Sequence, residues 1–459
     1  MLREWQSNCV EAALNKYTNG GRNFFCQATP GAGKTVMAAE LAKRLFEEGD
    51  IDLVLCFSPS LTVAEGIRST FAWKLGCAFN GGMGTLGASY TYQSIQFFDE
   101  SFWQTMRKFR ILAVFDEVHH CSYDEHGNMN SWGEQVVSKI QSLAYYTLAL
   151  SGTPWRSDLV SIAMAEYSDP EGEIICDFQY GLKQAIEEKV CRTPKIALVD
   201  NDHLSVTEGN ETKSFTSILE LLKQSKTSYQ SVIYNEGAMR FLLEVSCKKL
   251  AEIRCTSPNA GGLVVAASIQ HAKQIQTRLI EEFQQTTCIV THHHDDPLAE
   301  IERFRKSSTQ WIVSVGMISE GTDIPRLQVC CHISAVKTEL YFRQVLGRIL
   351  RINDAPNQEA WLFTFAEENL TGFAERIEQD IPDTCMYIKQ ERDTQGCTPS
   401  NEQKPLHTVG GNISNLHQRS ILSWGEPETL KSFNATNLKS SFEELRLGQF
   451  RQRVISAFT

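Results

Sequence analysis

Short apolar runs alternate with longer amphipathic stretches through the first third of the chain. FFCQA (24–28), DLVLCFS (52–58), ILAVFD (111–116) and YTLALSG (146–152) are nearly continuous in apolar residues, and polar or glycine-rich sequence follows each one. Runs of this length read as strands buried on both faces, and their alternation with helical patterns predicts a parallel sheet covered by helices. A second series begins near residue 195 with PKIALVD, GGLVVAAS, TTCIVT, WIVSVG, QVCCHI and AWLFTF. Two α/β units in series follow from the pattern.

The segments around these series read differently. Residues 155–195 form a connector containing the amphipathic GLKQAIEEK, and residues 210–260 are mostly helical up to the turn SPNAGG. After about residue 370 the pattern weakens. Residues 386–415 are polar and turn-rich, as in a linker, while 436–457 place leucines and phenylalanines on one face of one helix or two short ones. Such a helix would dock on a lobe or hold a protein partner. The expected divisions are 1–165, a connector at 166–194, 195–370, and a small, mostly helical C-terminal extension at 371–459. Beyond the doubled unit there is no repeat with a 20–50-residue period.

Composition changes this picture little. Of 459 residues, 42% are hydrophobic and 22% charged, an ordinary globular balance with apolar material for two or three cores. No apolar run approaches the ~20 residues of a membrane span, and Met1-Leu2-Arg3-Glu4-Trp5 does not open like a signal peptide. A soluble cytoplasmic protein with no membrane partner is expected. The 14 cysteines lie mostly alone in apolar stretches and include no Cys-x-x-Cys, so they read as reduced core residues rather than as a disulfide framework or a zinc site. A net charge of −11 excludes a broadly basic coat for nucleic acid, but it leaves room for a groove of backbone amides, helix N-termini and a few basic side chains.

The chemistry begins after the first apolar run. Ala28-Thr29-Pro30-Gly31-Ala32-Gly33-Lys34-Thr35 stands between a strand and the helical pattern VMAAELAKRLFEE. Glycines let backbone N–H groups curl round phosphates, the helix N-terminus adds its positive end, Lys34 brings a point charge, and the Thr35 hydroxyl suits Mg²⁺. Gly31, Ala32 and Gly33 would form the cradle; Ala28 stands where the general pattern has glycine. Asp116-Glu117-Val118-His119 ends a strand, and a carboxylate at the carboxyl end of a parallel strand points into the ligand crevice. Asp116 could hold Mg²⁺ through water, and Glu117 could deprotonate an attacking water. ATP and Mg²⁺ are therefore the expected ligands.

Taken in order, these elements resemble the motifs of the superfamily 2 helicases, over roughly residues 2–366. The phosphate loop looks like motif I and DEVH like the DEAH form of motif II. Ser151-Gly152-Thr153-Pro154 resembles motif III, Val315 to Pro325 motif V, and Gln344-Val345-Leu346-Gly347-Arg348-Ile349-Leu350-Arg351 the Q-x-x-G-R-x-x-R of motif VI. The resemblance implies two tandem RecA-like domains. Arg348 and Arg351, at i and i+3 on one helix face, would reach the γ-phosphate, and Gln344 would sense it or its water. Gly321 and Asp323 would line the ribose or phosphate side, Ser151 and Thr153 would couple the lobes, and Gln6 would read adenine. Trp5 belongs to that adenine element or to the core.

Contacts to nucleic acid are implied for Ser58, Pro59 and Ser60, for Thr91 to Ser94, and for Ser268. Hydroxyls at helix starts are equally N-caps, so both readings stand. His271 reads as a helix surface residue. The run His292-His293-His294-Asp295-Asp296 resembles a metal cluster, but adjacent side chains in an extended run point apart. Asp177 with Glu187 and Lys189 resembles a nuclease carboxylate site only faintly, since Glu187 and Lys189 fall in an amphipathic helical pattern, and no fused nuclease or protease is expected.

SGTPWRSD and EGTDIP look closer to DNA translocases than to RNA helicases, and the subtype resembles the restriction-subunit-like helicases of bacteria and their mobile elements. The expectation is an ATP-dependent helicase or translocase, acting on DNA in preference to RNA. Two alternatives stand beside it: a duplex-tracking motor subunit of a restriction or anti-phage complex, and a nucleotide-gated module that senses nucleic acid with little unwinding.

Overall fold

The apolar runs become strands that alternate with helices. In chain order these are α1 (Glu4–Thr18), β1 (Asn23–Ala28), α2 (Lys34–Glu47), β2 (Leu53–Ser58), α3 (Leu61–Leu75), β3 (Gly87–Thr91), α4 (Glu100–Lys108), β4 (Ile111–Asp116) and β5 (Tyr146–Ser151). Three short strands follow, β6 (Glu166–Tyr167), β7 (Ile174–Ile175) and β8 (Phe178–Tyr180), then α5 (Leu182–Glu187) and β9 (Thr193–Asp200). Next come β10 (Leu204–Glu208), β11 (Glu211–Phe215), α6 (Ile218–Gln224), α7 (Tyr229–Ile233), α8 (Glu236–Thr256), β12 (Gly261–Ala266) and α9 (Ile269–Glu281). The series continues with β13 (Thr287–Val290), α10 (Pro297–Lys306), β14 (Trp311–Ser314), β15 (Leu327–Ile333), α11 (Glu339–Ile349), β16 (Glu359–Phe365) and α12 (Glu368–Asp380). It ends with β17 (Cys385–Lys389), β18 (Ile421–Trp424) and β19 (Glu444–Arg446). The structure, a computed structural model, describes residues 2–118, 139–152, 166–167, 174–208, 211–291, 296–316, 322–389, 421–424 and 444–446.

The first sheet has the order β3-β2-β4-β5-β1-β8, and every pairing in it is parallel. Strands β1, β2, β4 and β5 are buried almost throughout, as their unbroken apolar sequences require. Phe25, Phe57, Ile111 and Phe115 anchor a core that α4 closes with Trp103 and Met106. The order matters for function. β4, β5 and β1 are neighbours, in a register that pairs Asp116 with Leu150 and Gln27 with Ser151. The segments leaving their carboxyl ends therefore start side by side.

The second sheet has the order β13-β14-β12-β15-β16-β9-β17-β19. A small antiparallel sheet, β11-β10-β18, accompanies it. The two larger sheets, with their helices, are the two tandem RecA-like domains. By compactness the chain divides into residues 1–194 with 248–330 and 336–362, and residues 195–247 with 331–335 and 363–459. The first unit contains both groups of motifs.

Several expectations change here. Residues 178–180, placed in the connector, form the edge strand of the first sheet beside β1. Residues 385–389 form β17, parallel to β9, where a linker was expected from 386; the rest of that segment lies outside the described residues. The expected helix over 436–457 is contradicted at 444–446, which pair antiparallel with β17. A backbone ladder outweighs helical periodicity there, and the remainder of that helix also lies outside the described residues. Among the described residues, the helical content beyond residue 370 is α12, which buries Leu370, Phe373, Ala374 and Ile377. No helix among the described residues is long and apolar enough to cross a membrane.

Candidate nucleotide site

The phosphate loop leaves β1 and turns into α2 through two left-handed glycines, Gly31 at φ 83° and Gly33 at φ 94°. Only glycine adopts that geometry without strain, so the loop depends on both. Gly33 is the N-cap of α2 and offers no side chain to it. The first N–H groups of that helix are thus left for a ligand, at the positive end of its dipole. Lys34 and Thr35 open the helix, and both are partly buried.

The start of α1 holds this loop from behind. The Arg3 side chain donates to Ala32 O at 2.6 Å and Gln6 Nε2 to Gly33 O at 2.9 Å, while Gln6 Oε1 accepts from Arg3 N–H at 2.9 Å. Gln6 is 4% exposed, so in this arrangement its amide braces the loop. Trp5, 1% exposed, stacks on Tyr180 with ring centroids 4.7 Å apart, which makes it core.

Motifs I, II and III converge on one ion pair. Lys34 Nζ lies 3.3 Å from Glu117 Oε1 and donates to Ala28 O at 3.1 Å, while Glu117 Oε2 accepts from Gly152 N–H at 3.1 Å. Glu117 itself has φ 48°, an unusual conformation for a residue with a Cβ. Such strain collects at functional sites, where surrounding contacts over-determine the backbone. Gly152 is the link that sequence reasoning missed, since it contributes through its backbone. Tyr92 adds a brace by donating its hydroxyl to Asp116 O at 2.7 Å.

Asp116 is buried at the end of β4, and its Oδ1 has no hydrogen-bond partner among the described residues. Burial pushes its carboxyl up to about 7; the charge of Glu117 adds to the rise, while Lys34 and Arg348 pull the other way. A buried carboxylate with an unsatisfied oxygen fits a divalent cation, which would restore its charge. With Thr35 it forms the donor set expected for Mg²⁺. Asp116→Asn is expected to weaken Mg²⁺-dependent nucleotide binding about 10- to 100-fold, by analogy with lost outer-shell partners. A fluorescent nucleotide titrated with Mg²⁺ and then with EDTA checks this, and equal affinities in both mutant and wild type would refute it.

The motif VI residues lie against the same loop, within the first unit. A Cβ built on Gly347 would stand 2.5 Å from Pro30 Cβ, so α11 approaches the loop only because that position is bare. Arg348 lies in the last turn of α11, donates to Thr322 O at 3.0 Å, and is close enough for its charge to act on Asp116. Gln344 is buried on the same helix. Arg351 corrects the expectation of two arginines on one helix face. The helix ends at Ile349, and Arg351 instead pairs with Cys191 in an isolated antiparallel bridge. Its side chain still reaches the loop, with Cγ 3.3 Å from where a Gly31 Cβ would lie, and it forms an ion pair with Asp323. Gly321 and Thr153 lie outside the described residues.

Three of the serine and threonine positions cap helices. Ser60 accepts from Val63 N–H, Thr91 from Ser94 N–H and Ser268 from His271 N–H, each at the start of a helix. Ser58 is fully buried and Pro59 partly so. His271 is not a surface residue: it is fully buried, with Nδ1 accepting from Ala267 N–H at 3.3 Å. Asp177 pairs with Lys16 at 2.6 Å and accepts from Phe25 N–H, a structural tie. Among the described residues no cluster of His, Cys, Asp and Glu could hold a metal by itself; the histidine run at 292–294 lies outside them.

Comparison with known proteins bears on the fold and the family. The family model of the type III restriction enzyme res subunit matches residues 1–156, and that of the helicase conserved C-terminal domain matches 244–353. An uncharacterized protein of Mycobacterium leprae is 27% identical over 82% of this chain, which spans 64% of that relative's length. A DNA 3'-5' translocase of Sulfurisphaera tokodaii is 26% identical over 77% of the chain and 79% of its own length. In fold, the type ISP restriction-modification enzyme LlaBIII bound to DNA superposes with a TM-score of 0.56 at 13% identity, over 86% of this chain and 32% of that one. The DEAD-box helicase Mss116 bound to single-stranded RNA gives 0.56 at 14%, over 86% and 76%. The two family models, in this order along the chain, and the order of the motifs support a superfamily 2 helicase of the restriction-subunit type.

Proposed function

We propose that the chain is an ATP hydrolase that couples Mg·ATP turnover to movement along nucleic acid, with DNA as the preferred track. The observation that carries this reading is the convergence of Lys34, Glu117, Asp116, Arg348 and Arg351 on one glycine-turned loop. In this reading residues 1–165 and 195–370 are the two lobes.

The loop amides and Lys34 bind the phosphates, and the adenine lies toward Gln6. Mg²⁺, held by Thr35 and through water by Asp116, would neutralise charge on the phosphates. Glu117, fixed by Gly152 and Lys34, takes the proton of the attacking water. Arg348 and Arg351 stabilise charge that builds on the transferred phosphoryl group, Gln344 orients its water, and Asp323 with Gly321 lines the sugar side. In this reading the phosphate loop belongs to the first lobe and the finger residues to the second, so turnover would require the lobes to come together, and that closure can do mechanical work.

The DNA preference is supported by the Sulfurisphaera relative, described as a DNA translocase, and by the SGTPWRSD and EGTDIP phrases. The likeness to restriction subunits favours duplex tracking as the second reading. In a steady-state ATPase assay, duplex or single-stranded DNA is expected to raise kcat at least about tenfold, and RNA less, with the stimulation falling as salt rises. Triplex displacement without strand displacement selects the tracking form. If no nucleic acid stimulates hydrolysis, the motor reading fails and a sensing module takes its place.

A further inference from the structure

Arg192 belongs to none of the motifs, yet it is fully buried. Nη1 donates to Leu327 O at 2.7 Å and Ile349 O at 3.2 Å, and Nη2 to Pro325 O at 3.0 Å and Asn353 Oδ1 at 2.8 Å. Its backbone N–H donates to Leu350 O at 2.7 Å. None of these partners is a carboxylate. A buried cation without a counter-ion is costly, and burial lowers the Arg192 pKa to about 10, which still leaves it protonated at neutral pH. What offsets the charge is the end of α11, whose last carbonyls lack partners within the helix and carry the negative end of its dipole.

The location gives this clamp a role. Ile349 and Leu350, the residues it holds, lie between Arg348 and Arg351. Pro325 and Leu327 follow directly on the segment that contains Asp323, the ion-pair partner of Arg351. The preceding residue, Cys191, bridges Arg351 and donates its thiol to Pro30 O of the phosphate loop at 3.6 Å. One planar side chain therefore ties the helix end to the Asp323 segment, beside Cys191, which touches the loop. Lysine, with three donors on a point charge, could not span these four acceptors.

We infer that Arg192 is a positioning residue for hydrolysis, one that locks the end of α11 so that Arg348 and Arg351 face the phosphate loop; this rests on the ATPase reading of that site. A merely structural staple would look different, and the same unit supplies one for comparison. Arg326 is also buried, also lowered to about 10, and its side chain donates to Phe304 O, Asn259 O and Thr309 O. Asn259 and Thr309 precede β12 and β14, at the ends of those strands away from the ligand loops.

The test uses the full chain with Arg192→Lys, Asn353→Ala and Arg326→Lys. Steady-state ATPase kinetics, thermal melting and the alkylation rate of Cys191 by iodoacetamide, read by mass spectrometry, are compared. Arg192→Lys is expected to lower kcat about 10- to 100-fold, the cost of an ~1 Å misplacement, while KM for ATP moves less than about threefold. Cys191, 4% exposed in the wild type, should be alkylated faster in this variant. Arg326→Lys should lower the melting temperature and keep kcat within about twofold, since surrounding structure and not the fingers depends on it. If Arg192→Lys does not fold, Asn353→Ala, which removes one acceptor, should show a smaller fall in kcat with KM held. A kcat near the wild-type value in folded Arg192→Lys, or an equal loss in Arg326→Lys, overturns the inference. If the wild type hydrolyses no ATP, the ATPase reading fails on its own. Cys191 alkylation then decides the clamp, and unchanged protection in Arg192→Lys overturns it.

Discussion

Glu117→Gln is expected to bind ATP at least as tightly as the wild type and to turn it over about 10²- to 10⁴-fold more slowly, the range for losing a general base. Both halves follow from the contacts. Glutamine keeps an oxygen for the Gly152 N–H, so the end of β4 and the start of motif III should stay in place. It has no charge with which to hold Lys34, now 3.3 Å from Glu117 Oε1. The lysine then meets incoming phosphates without a competing carboxylate, which favours binding. Hydrolysis falls because the amide cannot take a proton from water. Filter binding of radiolabelled ATP beside single-turnover hydrolysis separates the two effects. Undiminished turnover would remove Glu117 as the base, and a loss of binding equal to the loss of rate would mean the substitution had disturbed the loop.

Much of this site was legible because backbone mechanics write themselves into local sequence. A strand, a loop with left-handed glycines and a helix need residues in fixed order, and Gly31, Gly33 and Lys34 supply them. An acidic residue ending a buried strand, as Asp116 does, is legible for the same reason. Arg351 was misplaced because spacing alone cannot say where a helix stops. At the stop after Ile349 the terminal carbonyls are taken by Arg192, a tertiary contact some 150 residues distant in sequence. Arg192 and Gly152 were invisible for a related reason: one acts through acceptors scattered along the chain, the other through its main chain. Ser60, Thr91 and Ser268 show the converse, since phosphate contact and N-cap need the same side chain and only coordinates reveal the cap. At residues 444–446 helical periodicity was outvoted by pairing with β17, a partner no local window contains.

Arg348→Ala is expected to lower kcat by about 10³-fold or more, with a smaller change in ATP affinity, as for arginine fingers in other phosphoryl-transfer enzymes. Among the two candidate fingers Arg348 should dominate. Its charge acts, if weakly, on Asp116, the carboxylate expected to hold Mg²⁺. Arg351 is committed to Asp323 and to the strand bridge with Cys191, and is better placed to hold the loop than to follow charge as it moves. Arg351→Ala should therefore raise KM more than it lowers kcat. Arg348→Lys should recover little, because an ammonium cannot hold Thr322 O and reach a phosphate oxygen with the fixed fork of a guanidinium. The discriminating measurement is the kcat and KM of all three variants with saturating DNA, alongside melting curves to exclude loss of fold. If Arg351→Ala costs the larger share of kcat, the roles exchange, and the helix end serves to place Arg351. If neither substitution changes kcat, the approach of α11 to the phosphate loop is packing alone, and closure of the two domains cannot be what triggers hydrolysis.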